Sequence, residues 1–254
     1  MTGKRYVYIW ADGVYFNVRL TGERACILVL VGATEEGDKE LIAVHDGMRE
    51  SEISWTEVLE SLKARGLDEA PMLMIGDGAL GLWSAVSKAW PETRHQRCWV
   101  HKTANVLNKL PKTAHAHAKG LLKAAWMAES RTGALAAFDV FVKTYEGKYP
   151  KAAICLTKDK EEMTAFFDFP AEHWLHLRTS NPIESTFATV RQRTSRTKGS
   201  GSRTATLSMV FKLALCAQKR WRRLNGHEQL GRLIEGAQFP DGINSEAKGD
   251  GVAA

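Results

Sequence analysis

The sequence of 254 residues has only four cysteines, no long apolar run and no secretory leader, and each shortage excludes a class of protein. The cysteines stand apart without paired spacing, which excludes a disulfide framework and fits reduced thiols. No apolar stretch approaches the roughly 18 residues of a membrane span, and the first residues lack the charged and apolar regions of a signal peptide. We therefore expect a cytoplasmic protein with no membrane partner.

The overall composition is that of an ordinary globular protein. Apolar residues make up 44% and charged residues 25% of the chain, close to the averages for folded domains. The length suffices for one large domain, or for a domain that carries an insertion. Composition alone therefore excludes neither an enzyme nor a binding module.

Acidic residues are absent from residues 185–223, although the whole chain has 29 of them. This segment holds ten lysines and arginines, which leaves 25 basic and 29 acidic residues elsewhere. A solvated helix face is the commoner origin of a charge run, but an acid-free segment of this length favours a polyanion such as DNA. The candidate DNA-binding residues are Arg191, Arg193, Arg196, Lys198 and Arg203.

The first part of the chain has the pattern of an antiparallel meander. Residues 6–10 are predicted to form a buried strand that ends in a turn at residues 11–13, and residues 14–20 extend it. Residues 26–31 and 41–44 are predicted as the next two strands, separated by a turn.

Helices and a further strand follow the meander. Ser54 is predicted to cap a helix that Gly66 ends, and residues 72–75 form an apolar strand before a second helix. Residues 97–100 are predicted as one more strand. After Pro111 the pattern is helical, with no strand signal before about Arg178.

This order of elements predicts an α/β fold. Three antiparallel strands, a helix, a parallel strand and further helices are the order of an RNase H-like mixed sheet with flanking helices, interrupted by an all-helical insertion. The predicted parts are residues 1–104 and 179–235 for the core, 105–178 for the insertion and 236–254 for a disordered tail.

Two aspartates follow apolar strands of the predicted sheet. Asp12 and Asp77 each stand at a predicted strand end and precede glycine. Carboxylates on neighbouring strands suit a shared divalent cation, and phosphoryl transfer by two metal ions requires such oxygen ligands. The alternative is that Asp-Gly is an ordinary turn, as we expect for Asp46-Gly47.

Glu184 is the candidate third acid. Asn181 as N-cap, Pro182 at the first helical position and Glu184 form a capping-box pattern, in which Glu184 bonds back to the Asn181 amide. Glu184 could instead be a metal ligand, since both roles suit a helix start. Arg191, seven residues on, lies on the same helix face and suits a neighbouring phosphate.

Four blocks together resemble a known family. Residues 11–19 (ADGVYFNVR), 75–78 (IGDG), 97–102 (RCWVHK) and 179–185 (TSNPIES) look like the successive blocks of Mutator-type insertion-sequence transposases. The resemblance extends over residues 7–224, nearly the whole chain. It implies a DNA transposase whose DDE triad is Asp12, Asp77 and Glu184.

The resemblance also implies cofactors, partners and a departure from the family. Two Mg²⁺ or Mn²⁺ ions are expected with DNA bound, and the partners are the element's terminal inverted repeats, target DNA and a second copy in a homodimer, with no small-molecule substrate. Family members have a longer N-terminal region with helix-turn-helix elements, whereas the first aspartate here is already residue 12. We therefore expect the DNA-recognition region to be missing.

Cys98 and His101 form a Cys-x-x-His pair that also marks this family. A structural zinc site needs four ligands, and no second pair stands at suitable spacing, which disfavours zinc. We expect His101 to lie near the active site, with Asn181, and Cys98 to pack under the sheet.

Two other functions are compatible with the sequence. One is a catalytically idle or repurposed remnant that binds DNA without cutting it, which the presence of all three acids disfavours. The other is a different RNase H-like nuclease, which would use similar acids without the helical insertion.

Overall fold

Five strands form one mixed sheet in the described part of the chain, residues 1–22, 24–47, 49–196 and 201–245 of a computed structural model. The strands are β1 (Tyr6–Asn17), β2 (Arg24–Thr34), β3 (Lys39–Gly47), β4 (Leu73–Gly76) and β5 (Arg94–Arg97). They stand in the order β3–β2–β1–β4–β5. β2 pairs antiparallel with β1 and β3, and β4 pairs parallel with β1. The predicted α/β class with a mixed sheet is therefore confirmed.

Helices account for most of the remaining described residues. In chain order they are α1 (Glu52–Ala64), α2 (Leu80–Ala89), α3 (Trp99–Leu107), α4 (His115–Trp126), α5 (Arg131–Tyr145), α6 (Pro150–Thr157), α7 (Lys160–Thr164), α8 (Trp174–Leu177), α9 (Asn181–Arg196), α10 (Arg203–Gln218) and α11 (Leu230–Ile234). None of the helices in the described ranges combines the length and the apolar character that crossing a membrane requires.

The chain divides into two compact units. Unit 1 comprises Met1–His95 and Ser180–Leu230, and it contains most of the sheet with α1, α2, α9 and α10. Unit 2 comprises Gln96–Thr179 and the chain from Gly231 onward, and it is helical apart from the end of β5.

β1 is one uninterrupted strand, which corrects the predicted turn at residues 11–13. Asp12 pairs with Val29 and Gly13 with Leu28, so β2 continues the ladder past the Asp-Gly dipeptide. The turn prediction was wrong because a neighbouring strand supplies the partners that a turn would otherwise supply. β1 then ends at Asn17, before the predicted Leu20.

β3 is also longer than predicted and contains Asp46 and Gly47. These residues pair with Ile27 and Cys26, so the expected turn at Asp46-Gly47 is wrong as well. The turn between β2 and β3 lies where it was predicted. Gly37 adopts a left-handed φ of 84° there, which glycine accepts without strain.

α1 and α2 cover one face of the sheet. Ile9, Leu28 and Met74 from the strands pack in one buried cluster with Trp55 of α1 and Val86 of α2. Burial of each such side chain stabilises the fold by roughly 2 kcal/mol. The N-cap of α1 is Ser51, whose hydroxyl accepts from the Ser54 amide, so the predicted cap at Ser54 was three residues late.

α9 and α10 pack on the opposite face. α9 contacts β1 and β2, and α10 contacts β3. Ile183, Phe187 and Val190 of α9 are buried. The sheet residues of this face alternate with those that face α1 and α2, as the period of a strand requires. The flanking helices of the prediction are thus present on both faces.

Two boundaries in and around unit 2 differ from the prediction. The strand expected at residues 97–100 is β5, which ends at Arg97, and α3 begins at Trp99 because the chain turns at its N-cap Cys98.

The disorder predicted for residues 236–254 is wrong for residues 236–245. Phe239 is buried there, and the Asp241 carboxylate accepts a 2.7 Å bond from the Arg131 amide. Residues 246–254 lie outside the described ranges.

Candidate active site

Asp12 and Asp77 lie on neighbouring parallel strands of unit 1. Tyr8 pairs with Leu73 and Trp10 with Ile75, and extending this register by two residues sets Asp12 level with Asp77. Asp12 lies within β1 and Asp77 follows β4 directly, so both residues come after the Trp10–Ile75 pair by the same number of residues. Adjacent strands are separated by about 4.8 Å, so the backbones that lead to the two aspartates run side by side. Asp12 is only 8% exposed.

Local contacts fix the backbone at Asp77. Its carboxylate oxygen Oδ1 accepts a 2.8 Å bond from the Ala79 amide, and its carbonyl accepts a 3.0 Å bond from the indole Nε1 of Trp83. The Trp83 ring in turn stacks on His95, with 4.7 Å between the ring centroids. These contacts were not predicted, because the sequence assigns Trp83 only to an apolar helix face.

Gly76 is required by this close packing. A Cβ at residue 76 would lie 2.6 Å from Cδ2 of Leu82 and 3.3 Å from the Trp83 ring. A side chain at this position would therefore force the Leu82 side chain to move and would press on the Trp83 ring. Glycine before Asp77 lets α2 approach the strand that carries the acid.

Glu184 lies in the first turn of α9, the helix that packs against β1. The Ser180 carbonyl accepts the first backbone bonds, from the amides of Ile183 and Glu184. Ser180 is therefore the N-cap, one residue before the predicted cap at Asn181. The Ser180 hydroxyl also donates a 3.0 Å bond to the carboxylate of Glu184. All three candidate acids thus belong to unit 1.

Cys98 and His101 belong to unit 2, whereas Asn181 opens α9 in unit 1. The Cys98 thiol is buried at the N-cap of α3, and His101 is half-buried in the first turn of that helix. Two other residues of the same sequence block bind one carboxylate. Arg97 and the buried Lys102 both form ion pairs with Asp159. The sequence gives no sign of this cluster, since Asp159 lies 57 residues beyond Lys102.

A fourth acid, which sequence reasoning missed, lies beside β1. A Cβ on Gly13 would come within 2.3 Å of the carboxyl carbon of Glu50. Glu50 therefore occupies the space over Gly13, on the face opposite to Asp12. No spacing in the sequence connects Glu50 with residue 13.

Negative charge accumulates at this part of the sheet. Burial raises the pKa of the Cys26 thiol to about 11, and the charges of Glu50, Asp46 and Asp12 add to the rise. A thiol responds to these carboxylates only if they lie close to it, because charge interactions fade with distance. Glu50, Asp46 and Asp12 therefore all lie close to the Cys26 thiol.

Two arginines of the acid-free segment are bound within unit 1. Arg203 holds the Asp46 carboxylate through two bonds of 3.0 and 2.7 Å, and Arg223 holds Asp38 through two bonds of 3.0 Å. These pairs fasten the start of α10 and the chain beyond its end to β3 and the preceding turn. Arg203, a predicted DNA contact, thus has a carboxylate partner within the protein.

The other candidate DNA contacts lie on or just after α9. Arg191 and Arg196 are exposed on this helix. Arg193 lies in the same helix, but its side chain is outside the described part, and Lys198 is outside the described residues altogether. Lys212, Lys219, Arg220 and Arg222 are also exposed.

Comparison with known proteins gives one family. A family model described as "Transposase, Mutator family" matches residues 1–223. The chain is 52% identical over 243 residues to the transposase for insertion sequence element IST2 of Acidithiobacillus ferrooxidans, which covers 96% of this chain and 80% of that relative. It is 49% identical over 237 residues to the transposase for IS6120 of Mycolicibacterium smegmatis, covering 93% and 73% respectively. The transposase for IS905 of Lactococcus lactis is 28% identical over 192 residues, 75% of this chain and 49% of that relative.

Proposed function

We propose that this chain, which belongs to the Mutator family of transposases, cuts and joins DNA at insertion-sequence ends through Asp12, Asp77 and Glu184. The observation that carries the proposal is the parallel pairing of β1 with β4 as far as Trp10 and Ile75, because Asp12 and Asp77 each come two residues after that pair. Two relatives of about half identity are named as transposases for insertion sequence elements. The same activity is proposed here.

The proposed fold is an RNase H-like core with a helical insertion. The succession of three antiparallel strands, α1, the parallel strand β4, α2 and β5 supports this assignment. Unit 2 interrupts the sequence of unit 1 between His95 and Ser180, which supports an insertion before the third acid. Fold alone does not establish the chemistry, so the proposal depends on the acids.

The donor groups fit Mg²⁺ or Mn²⁺. Asp12 and Asp77 offer hard carboxylate oxygens at the ends of two strand segments that pair with each other. When bound, a pair of such ions supplies the Lewis acidity that in-line phosphodiester transfer needs. Asp12, Asp77 and Glu184 would hold them.

The residues of this chain position the reacting groups. Pairing with Val29 of β2 fixes the backbone of Asp12, while the Ala79 and Trp83 bonds fix Asp77. The Ser180 hydroxyl orients Glu184 at the start of α9. Such fixed carboxylates need no rearrangement when DNA arrives, and this preorganisation lowers the barrier of transfer.

DNA is proposed to lie along α9. Arg191 and Arg196 are exposed on the helix that begins with Glu184, and the surrounding segment lacks acids. Cations on this helix attract the phosphate backbone without reading its sequence. The proposed role of α9 is thus to bring a phosphodiester to the acids at its first turn.

A cleavage assay with the purified chain tests the proposal. Pre-nicked and intact duplexes that end in the element's inverted repeats are incubated with Mg²⁺, with Mn²⁺ or with chelator. We expect metal-dependent nicking that Asp12→Asn and Asp77→Asn abolish. Asp68→Asn is the matched control, because Asp68 is exposed in the same unit and precedes β4, whereas Asp77 follows its other end.

The outcomes separate the candidate functions. Binding without nicking in any metal would indicate an idle DNA-binding remnant. Nicking with no joining of a free 3′-hydroxyl to target DNA would indicate another nuclease. Nicking that survives both asparagine changes would remove these two acids from the reaction.

A further inference from the structure

Arg178 of unit 2 is enclosed by aromatic rings. Its guanidinium carbon lies 4.9 Å from the ring centroid of Phe166, 5.4 Å from that of Trp174 and 5.9 Å from that of Trp126. Only 9% of the residue is exposed. Rings at these distances attract a cation through their negative faces, so they hold the guanidinium in place.

Among the described residues, the Arg178 guanidinium has only one hydrogen-bond acceptor, and that acceptor is weak. Nη1 donates to the sulfur of Met127 at 3.5 Å, which is a weak acceptor. Nε is enclosed without a hydrogen-bond partner. In the described part of the chain Nη2 has no partner either, and it is not among the fully enclosed nitrogen atoms. The remaining opening of the pocket is therefore on the Nη2 side.

No carboxylate in the described ranges pairs with Arg178, unlike other arginines of the same unit. Arg97 binds Asp159, and Arg131 binds Asp168. Burial lowers the pKa of Arg178 to about 10, and no acid acts against that shift. The group remains charged at neutral pH, so unit 2 contains a buried cation that no carboxylate of the described residues neutralises.

Burying a charge without a partner is unfavourable, and such groups usually neutralise or acquire an anion. Rings alone replace only part of the lost hydration. A guanidinium has a planar fork that matches the oxygens of a phosphate. The geometry therefore suits an oxyanion that approaches Nη2 and completes the hydrogen bonding.

We propose that Arg178 and its ring pocket form a binding site for one backbone phosphate of DNA. The site is separate from the acid-free segment, since it belongs to unit 2. The choice of DNA as the source of the phosphate rests on the proposed function. Its recognition is independent of base sequence, because the fork binds only phosphate oxygens.

The first test measures DNA binding by the full chain against salt. Arg178→Met fills the pocket without charge, and we expect weaker binding by about 5- to 10-fold at low salt. The slope of log affinity against log salt should fall by about 0.9, the value for one phosphate. The melting temperature should stay constant or rise, because an unpaired buried charge is removed.

Arg131→Met is the matched control. It removes the same charge from unit 2, but from an arginine that Asp168 already neutralises. We expect a lower melting temperature and an unchanged salt slope. An Arg178→Met slope equal to the wild-type slope, in a protein that folds, would overturn the proposal.

The second test uses inorganic phosphate, and it still decides the question if Arg178→Met fails to fold. Phosphate and chloride are compared at equal ionic strength, and the rise in melting temperature is measured for wild type and Arg178→Lys. General salt effects act on both proteins, so only the difference reports on this site. We expect lysine to lose at least about half of the rise, because its ammonium lacks the planar fork. Equal rises would overturn the site.

The two tests distinguish this inference from the proposed function. In one outcome, the wild type nicks element ends and the slope of log DNA affinity against log salt does not depend on Arg178. This outcome contradicts the inference and leaves the proposed function standing. In another outcome, the rise in melting temperature with phosphate depends on Arg178 but the protein binds no DNA. This outcome overturns DNA as the ligand, and the proposed function fails with it.

Discussion

The indole Nε1 of Trp83 donates a hydrogen bond of 3.0 Å to the carbonyl oxygen of Asp77. This bond joins the first turn of α2 to the residue directly after β4. The side chain of Asp77 bonds to the Ala79 amide, so the residue is held through both its carbonyl and its carboxylate. A residue outside the proposed triad thus positions one of its members.

Replacing Trp83 by Phe should slow nicking by about tenfold. The aromatic ring is kept but the bond to Asp77 is lost. A displacement of about 1 Å typically lowers a rate by ~10²-fold, and a smaller displacement of Asp77 should lower the nicking rate by less. Stability should fall by about 1 kcal/mol, the value of one hydrogen bond. Nicking rates and urea unfolding measure the two effects.

Trp90→Phe is the control for the Trp83 prediction. Trp90 caps the other end of α2, and its Nε1 has no hydrogen-bond partner among the described residues. This change should leave the nicking rate within about twofold of wild type, because no bond to the acid is involved. Equal losses in the two variants would show that packing of α2, and not the bond, matters.

Glu184→Gln separates the structural and catalytic roles of Glu184. Glutamine still accepts the bond from the Ser180 hydroxyl, so unfolding free energy should change by less than about 1 kcal/mol. Mutation of a residue that only hydrogen-bonds to a metal ligand typically lowers activity by roughly 10- to 100-fold. Loss of the Glu184 charge should reduce nicking by more than this, because Glu184 would itself be a ligand. Thermal unfolding, DNA binding and Mn²⁺-dependent nicking measure the outcome.

Ser180→Ala is the complementary variant, since it removes the bond and keeps the charge. It should lose about 1 kcal/mol of stability and retain most of its nicking. Wild-type nicking by Glu184→Gln would remove Glu184 from the triad and direct attention to Glu172 or another acid of the late helical block.

Exposed arginines of α9 should dominate the salt dependence of DNA binding. Arg191→Ala with Arg196→Ala should lower the slope of log affinity against log salt by up to about 2, with sequence preference unchanged. Arg223→Ala is the control, because Asp38 already binds that arginine. An unchanged slope in the double variant would assign these arginines to a solvated helix face.

Stability should fall as the pH rises from 9 to 11. Burial raises the pKa of Cys26 from 9.0 to about 11, so the unfolded chain releases this proton first. Between pH 9 and 11 the folded protein binds more protons than the unfolded chain, so the free energy of unfolding falls as the pH rises. Cys26→Ala should lose less stability than wild type between pH 9 and 11, as measured by urea midpoints.

Cys216→Ala is the control for the pH prediction, because its thiol is exposed. Its stability should follow the wild-type curve across the window. If Cys26→Ala also follows that curve, the thiol does not contribute to the loss.

Local sequence signals predicted element types better than their ends. The strands near residues 6–10, 26–31, 41–44 and 72–75 were found where apolar and β-branched residues cluster. The turns expected at Asp12-Gly13 and Asp46-Gly47 are strand instead, because β2 pairs with both segments. Propensity for a turn is weak against a complete ladder of hydrogen bonds.

Contacts between distant residues were not predictable from the sequence. Arg203 was selected as a DNA contact from its place in a basic segment, whereas Asp46, 157 residues away, binds its guanidinium. Glu50 over Gly13 and Asp159 between Arg97 and Lys102 are similar cases. No periodicity encodes these partners, because folding decides which charges meet.

The sequence by itself determined the family and the candidate acids, since four blocks keep their residue types and order from Asp12 to Glu184. It also determined that β4 is an apolar strand followed by an aspartate. Only the tertiary structure decided that β4 lies beside β1, in the register that pairs Trp10 with Ile75, two residues before Asp12 and Asp77. It likewise decided that aromatic rings enclose the Arg178 guanidinium and that no acid of the described residues pairs with it. The physical reason is that register and charge pairing depend on the packing of segments far apart in the chain, which local patterns do not specify.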